Sequence, residues 1–292
     1  MATNPVFNRI DREAQQGYAG FRDRAPQPAQ PTATSSWGQP GTLSDQQLQD
    51  LYNQPSATPV QAGRVTLDDV VMKTLGLFAL VLVFAVAGWK LAPTPMGGAV
   101  MLGGIALTLV LGLVIAFKKT ISVPLIVTYA VVEGVFVGAI SNYYSLVFDD
   151  PNVVTDPFKG IVAQAVLATL SVFAGMLLAY KTGLIKVTEK FRRIVTMAVI
   201  GYAIFAVINL VYALVTNTAF GLGGTGALGI GISLFAIGLA SMSLAVDFDT
   251  IDRAIATGAP QKYSWLLAHG LIVTLVWLYL EILRLLGRLR SQ

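Results

Sequence analysis

Residues 97–117 read GGAVMLGGIALTLVLGLVIAF and contain no charged side chain. At 1.5 Å per residue, a helix of this length extends about 30 Å, which is the thickness of the hydrocarbon core of a bilayer. A segment in lipid must satisfy its own backbone hydrogen bonds, so a run of this kind favours a membrane-spanning helix over a strand or loop. This stretch therefore predicts an all-α membrane protein.

Six further apolar runs of similar length occur along the chain. They are residues 70–89, 121–148, 161–180, 194–216, 226–246 and 265–286. Charged residues make up 12% of the sequence, which is about half of the ~25% typical of soluble globular domains. The sequence predicts a polytopic membrane domain of seven transmembrane helices over residues 65–292.

The segment before these runs has a different composition. Residues 1–64 are polar and rich in Pro, Gln, Ala, Ser and Thr, as in residues 25–34 (APQPAQPTAT). No periodic apolar face runs through them, so they cannot bury enough surface to offset the entropy of ordering the backbone. We expect a disordered tail, without the apolar core of a signal peptide.

Lys and Arg are concentrated in alternate connections between the apolar runs. One set of connections and flanking turns holds Arg64, Lys73, Lys118, Lys119, Lys181, Lys186, Lys190, Arg192, Arg193, Arg253 and Lys262. The opposite connections hold only Lys90 and Lys159. Because basic loops remain on the cytoplasmic side, the sequence predicts a cytoplasmic N-terminal tail.

The end of the chain does not follow this charge rule. Seven full spans place the C-terminus outside, whereas Arg288 and Arg290 favour the cytoplasmic side. Either the bundle holds the last helix across the membrane against the rule, or the last helix re-enters without crossing. The prediction is a full span.

Several classes of function are excluded or disfavoured by residue content. The chain has no Cys and one His, which excludes disulfides, a thiol nucleophile and a two-His zinc motif. Residues 221–226 (GLGGTG) match the dinucleotide-binding pattern only formally, because they join two membrane runs instead of a strand and a helix. The basic residues lie in short loops and form no nucleic-acid footprint. We expect no enzymatic activity, no cofactor and no nucleic-acid partner.

Carboxylates at membrane depth are the most informative polar residues. They are Glu133 in the third run, Glu281 in the seventh, and Asp247, Asp249 and Asp252 at the end of the sixth. Ionisable groups in the membrane are costly and commonly mark an ion or proton pathway. For Glu281 a second interpretation stays open, because Arg284 lies at i+3 and the two could neutralise one another and lock the bundle.

Two other features have both a functional and a structural interpretation. His269 could carry protons, since an imidazole titrates near neutral pH, but its position near the predicted start of the seventh helix favours a neutral, hydrogen-bonded packing role. Three aspartates at a helix C-terminus oppose the helix dipole, unless the run is a solvated face. Their presence suggests a partner cation or a shared proton.

These motifs resemble a known family. Residues 246–252 (VDFDTID) and 274–286 (TLVWLYLEILRLL) resemble the Bax inhibitor-1 family, also called the transmembrane Bax inhibitor motif family. Residues 133–141 (EGVFVGAIS) are similar to the small-residue segment of that family. Residues 4–7 (NPVF), together with the long polar tail, are similar to one bacterial branch of it.

The resemblance implies seven helices, with the seventh central between two three-helix layers. It also implies a pH-sensitive calcium leak gated by two acidic residues, which match Asp249 and Glu281 in this sequence. Many relatives have Asp where this chain has Glu281. If the seventh helix is unbroken from Trp265, Glu281 lies about 24 Å along it, so contact with Asp249 requires residues 265–271 to lie partly in the interface.

The expected function is therefore a slow, pH-gated leak of Ca²⁺ or another cation across a bacterial inner membrane. Two carboxylates in contact cannot both ionise at low cost and can share one proton. Ca²⁺ prefers oxygen ligands, which Asp247, Asp249 and Glu281 could supply transiently. The supporting residues of the ion path are predicted to be Asp247, Asp252, Glu133, Arg284 and His269.

Two rival functions remain open. One is a non-conducting regulator that binds other membrane proteins, such as a membrane-anchored AAA protease, through the tail or loops. The other is a proton-coupled transporter, which is disfavoured because such proteins have helices broken by Gly or Pro in related halves. Here only Pro124 falls inside a run, near its start.

Overall fold

The structure, a computed structural model, describes residues 63–149 and 156–292, so the predicted disordered tail lies almost wholly outside the described residues. Seven helices follow one another in the described part. They are α1 (Leu67–Leu91), α2 (Gly97–Phe117), α3 (Val123–Phe148), α4 (Ile161–Lys181), α5 (Glu189–Thr216), α6 (Ala227–Ala256) and α7 (Tyr263–Arg290). Each is long and apolar enough to cross a membrane. The predicted all-α polytopic fold is confirmed.

Capping residues extend two helices beyond their apolar runs. Thr188 accepts a hydrogen bond from the Phe191 amide (3.2 Å), so α5 begins before its apolar run. At its C-terminal end, α6 continues past its apolar run to Ala256. Gly258, with a φ of 66° in the left-handed region, then ends the helix. Asp247, Asp249 and Asp252, which follow or end the sixth apolar run, therefore lie within the last ten residues of α6.

The seventh helix is the centre of the bundle, as the resemblance implied. It is the most buried of the seven spans, and it contacts α1 and α3 on one side and α4 and α6 on the other. Helices α1 to α3 pack together as one layer, and α4 to α6 pack as the second layer. Leu278 and Leu283 of α7 have no accessible surface between these layers.

Small residues bring α1 and α3 into close contact. A Cβ added at Gly138 would overlap the carbonyl of Ala85, and one at Gly134 would lie 2.6 Å from the carbonyl oxygen of Val81. A Cβ at Gly88 would likewise overlap the backbone of Val135. The four-residue spacing of Gly134 and Gly138 thus lets the two backbones approach closely.

The fifth helix is held much more loosely. Among the described residues, α5 packs on α6 and on the short 3-10 turn at Gly221–Gly223, and it makes no backbone-level contact with α2, α3 or α7. Polar links between its side chains and the neighbouring helices therefore contribute to its position, as described below.

Arg288 and Arg290 are bound by the bundle, which explains why they need not follow the charge rule. Arg290 pairs with Asp149 at the end of α3 and donates to the Lys159 carbonyl (2.8 Å) and to Gln164 (3.0 Å). Arg288 has only 2% of its surface accessible. An unbroken α7 with both arginines fixed at its far end favours the full span.

The side of each connection can be checked by single-cysteine labelling, because the natural chain contains no Cys. We expect Thr257→Cys, in the α6–α7 connection, to react with a membrane-impermeant maleimide only from the cytoplasmic side. Gln292→Cys should react only from the opposite side. Labelling of both positions from the same side would show that α7 does not cross the membrane.

Candidate functional site

Glu281 lies in a buried polar cluster between α5 and α7. Its side chain is 4% exposed, and both of its oxygens accept from Arg284 Nη1, at 2.9 and 3.0 Å. The Tyr202 hydroxyl of α5 donates to Glu281 Oε1 at 2.6 Å, and Trp277 Nε1 donates to the same oxygen at 3.3 Å. The ion pair that the i, i+3 spacing suggested is therefore present, and Tyr202 is an additional partner that the sequence did not reveal.

Arg288 adds a second buried cation to this cluster. Its guanidinium donates to Ser233 Oγ (2.7 Å) and to the Gly229 and Phe220 carbonyls, and it lies over the Phe220 ring at 5.4 Å. No carboxylate pairs with it in the described part of the chain, and its Nε has no hydrogen-bond partner there. The Glu281–Arg284–Arg288 cluster thus holds one carboxylate and two guanidinium groups.

Asp249 belongs to a separate ion-pair network between the start of α5 and the last turns of α6. It pairs with Arg192 of α5 and accepts from Arg253 Nε at 2.8 Å. Arg253 in turn binds Glu189 of α5 at 2.6 Å. The Asp249 and Arg192 side chains are only 15% and 18% exposed, so this pair is largely shielded from solvent.

Asp249 and Glu281 do not meet, contrary to the expected shared proton. At 1.5 Å per residue, Glu281 lies about 27 Å from the start of α7, whereas Asp249 lies about 10 Å from the end of α6. The α6–α7 connection is short and α7 is unbroken from Tyr263, so the two carboxylates differ in depth by about 16 Å.

The other predicted site residues fall into two places. Glu133 Oε1 accepts from the Tyr129 hydroxyl (2.9 Å), and the Tyr129 ring packs edge-on against His269 at 4.5 Å. Asp247 lies against Thr274 of α7. One oxygen of each carboxylate, Glu133 Oε2 and Asp247 Oδ2, is buried without a hydrogen-bond partner.

Asp252 lies apart from these groups, and no metal cluster is formed. It accepts from Tyr180 (2.8 Å) and lies 4.0 Å from Lys181, with a half-exposed side chain. Within residues 63–149 and 156–292, no three His, Cys, Asp or Glu side chains are grouped to hold a metal ion. The predicted calcium ligands Asp247, Asp249 and Glu281 are therefore not assembled, because they lie at different depths.

The two predicted gate residues nevertheless share one role in the structure. Glu281 is linked to α5 through Tyr202, and Asp249 is linked to α5 through Arg192. These links are notable because α5 has few other contacts with the bundle. Each carboxylate thus contacts α5, one near the start of the helix through Arg192 and one further along it through Tyr202.

A cavity of about 760 Å³ lies beside the deeper of these links. Its walls come from α2, α3, α5 and α7, and most of its lining side chains are apolar. Tyr202, Glu281, Arg284 and Arg288 form its polar part. The volume lies within the range of about 300–1,000 Å³ that is typical of ligand sites.

These features define a class: a seven-helix integral membrane protein whose central last helix is surrounded by buried charged groups. More narrowly, the chain belongs to the Bax inhibitor 1 like family, whose family model matches residues 4–291. A comparison with curated proteins finds no match. The predicted family resemblance is thereby confirmed.

Proposed function

We propose that this protein conducts a slow, pH-sensitive leak of cations, with Ca²⁺ as the preferred ion, across the inner membrane of a bacterium. The observation that carries the proposal is the presence of buried carboxylates at membrane depth, on three helices that surround or include α7. Glu133 and Glu281 are 4% and 3% exposed, respectively. The protein acts without a cofactor, and its N-terminal tail lies in the cytoplasm.

The unpartnered oxygens supply the ion path in this proposal. Burying a polar oxygen without a hydrogen bond costs free energy, and Glu133 Oε2 and Asp247 Oδ2 are both in this state beside α7. A passing cation would satisfy each oxygen in turn. Ca²⁺ is a hard cation that binds oxygen, and a leak requires weak, sequential contacts instead of one closed metal site.

The pH sensitivity resides in the two carboxylates that hold α5. Protonation of Asp249 removes the charge that binds Arg192 and Arg253, and protonation of Glu281 removes the charge that binds Arg284 and weakens the bond from Tyr202. Ionised carboxylates therefore keep α5 in place, and acidification favours its release. In this form of the proposal the two residues act separately and share no proton.

Other charged and phenolic groups face each of these carboxylates. Around Asp249 they are Arg192, Arg253, Glu189, Tyr180 and Asp252. Around Glu281 they are Arg284, Arg288, Tyr202 and Tyr144.

The test is calcium flux in liposomes that contain a trapped calcium dye, with the purified protein scanned over pH. We expect flux to rise as the pH falls, and Asp249→Asn to remain fast at neutral pH, because the amide copies the protonated carboxyl. A link worth about 1–2 kcal/mol gives an increase of about 5- to 30-fold at neutral pH. Asp68→Asn is the matched control, since it removes a carboxylate from the exposed first turn of α1.

Two results would contradict this proposal. Unchanged pH dependence in a folded Asp249→Asn protein would exclude Asp249 from the gate. Absence of flux at every pH would favour the rival function, a regulator that binds other membrane proteins.

A further inference from the structure

The cavity beside α5 is open toward the surrounding bilayer. Helices α2 and α5 form two of its walls, and their backbones do not pack against each other within the described residues. Apolar side chains on both helices line the opening and are about half exposed. They are Leu102 and Leu109 of α2, and Val207 and Leu214 of α5. A gap between two membrane helices with such edges admits an acyl chain from the side.

The polar end of the cavity carries a net positive charge. Arg284 uses Nη1 for Glu281 and Tyr202, while its Nε and Nη2 groups make no hydrogen bond with any residue that the structure describes. Its side chain remains 34% accessible and lines the cavity. Arg288 lies behind it and has no carboxylate partner in the same described region. The cavity therefore offers free guanidinium donors and one uncompensated cation to an anion.

The depth of Arg284 matches the level of lipid headgroups. The 28 residues of α7 extend about 42 Å, whereas the hydrocarbon core is about 30 Å thick. If α7 is centred in the bilayer, its ends project about 6 Å beyond that core, and Arg284 lies about 9 Å from the end. The guanidinium is then about 3 Å inside the hydrocarbon boundary, within reach of a phosphate.

We propose that this cavity binds an anionic phospholipid from the leaflet at the C-terminal end of α7. The phosphate accepts hydrogen bonds from Arg284, and one acyl chain lies between α2 and α5. A planar guanidinium with two free donor groups suits a phosphate. The uncompensated charge of Arg288 favours a headgroup with a net negative charge over a zwitterionic one. This proposal does not depend on whether the protein conducts ions.

The natural probe of the cavity is Trp277, which lines it. A variant in which Trp37, Trp89 and Trp265 are replaced by Phe leaves Trp277 as the single fluorophore, because the chain has four Trp residues. This protein is reconstituted in phosphatidylcholine vesicles with an equal mole fraction of either brominated phosphatidylglycerol or brominated phosphatidylcholine. Brominated chains quench a tryptophan only when they are in contact with it.

We expect brominated phosphatidylglycerol to occupy the cavity about fivefold more than brominated phosphatidylcholine does, as one cation near the headgroups implies. Arg288→Gln removes the uncompensated cation, which has no carboxylate partner among the described residues, and it should abolish the preference. The double variant Glu281→Gln/Arg284→Gln removes the accessible guanidinium but leaves the net charge unchanged, so it should reduce quenching by both lipids. Lys90→Gln removes a cation from the same membrane face at the end of α1 and should keep the preference. Ala206→Phe fills the cavity and should reduce quenching by both lipids.

Three outcomes would overturn the proposal. The first is equal quenching by the two lipids in the parent protein, a result that needs no mutation of the cluster. The second is a preference that survives in Arg288→Gln, shown to be folded by its circular dichroism. The third is a preference that Lys90→Gln removes as fully as Arg288→Gln does, which would indicate general surface charge.

Discussion

Replacing Glu281 with glutamine should lower the free energy of unfolding by about 3 kcal/mol, the lower end of the cost of breaking a buried ion pair. The variant leaves two guanidinium groups, Arg284 and Arg288, in the interior without a carboxylate between them. Tyr202 and Trp277 would also lose the charged acceptor of their hydrogen bonds. We expect the lower end of that cost because 34% of the Arg284 side chain remains accessible to solvent, which reduces the penalty of leaving its charge unpaired.

The double variant Glu281→Gln/Arg284→Gln should recover part of this loss, because neither charge is then unpaired. Coupling energies between contacting residues are about 0.5–3 kcal/mol, and we expect a value above about 1.5 kcal/mol here. The coupling energy is measured by thermal and denaturant unfolding, in detergent, of the parent, Glu281→Gln, Arg284→Gln and the double variant. Glu189→Gln is the control, since its carboxylate is 75% exposed and its ion pair should contribute at most about 1 kcal/mol.

The same set of variants distinguishes the two interpretations of Glu281. If it only locks the bundle, Glu281→Gln is less stable and its flux, where present, retains the parental pH dependence. If it also gates, the flux of the variant becomes less dependent on pH. A Glu281→Gln protein as stable as the parent would contradict the buried ion pair itself.

Gly138→Ala should destabilise the protein by about 2–3 kcal/mol, although it adds a single methyl group. The added Cβ would overlap the backbone of Ala85, and backbone cannot turn away as a flexible side chain can. Helices α1 and α3 would have to separate, and the contacts around Gly134 and Gly88 would loosen with them. The measurements are the unfolding temperature and the fraction of monodisperse protein after extraction.

Gly175→Ala is the matched substitution on another membrane helix. A Cβ at Gly175 would meet no atom within 4 Å, so alanine should be neutral or stabilise the helix by up to about 1 kcal/mol. Equal stability of Gly138→Ala and Gly175→Ala would show that α1 and α3 are not packed as closely as described.

The apolar runs predict the number and order of the helices because the bilayer sets a minimum length for each. They do not predict where α5 begins or where α6 ends, since the first depends on the Thr188 cap and the second on the left-handed residue Gly258. The charged last turns of α6 lie beyond its apolar run, so hydropathy does not detect them. The helix therefore continues through the run DFDTID to Ala256.

The site was predictable where its partners are close in sequence. Arg284 lies three positions after Glu281, so the helical period suggested their pairing. Tyr202 and Arg192 lie on a different helix, 79 and 57 positions from their partners, and only tertiary packing brings them together. The expected contact of Asp249 with Glu281 came from a resemblance, which does not fix the relative depth of two helices.

The central position of α7 also has a consequence for how the protein is made. This helix follows the other six in the chain, so the ribosome releases it into the membrane after them. Until it arrives, the two layers meet only where α3 contacts α4 and α1 contacts α6, and Glu133 and Asp247 lack the helix that covers them. Insertion of α7 is therefore a late step of folding, which joins the two three-helix layers into a single cooperative unit.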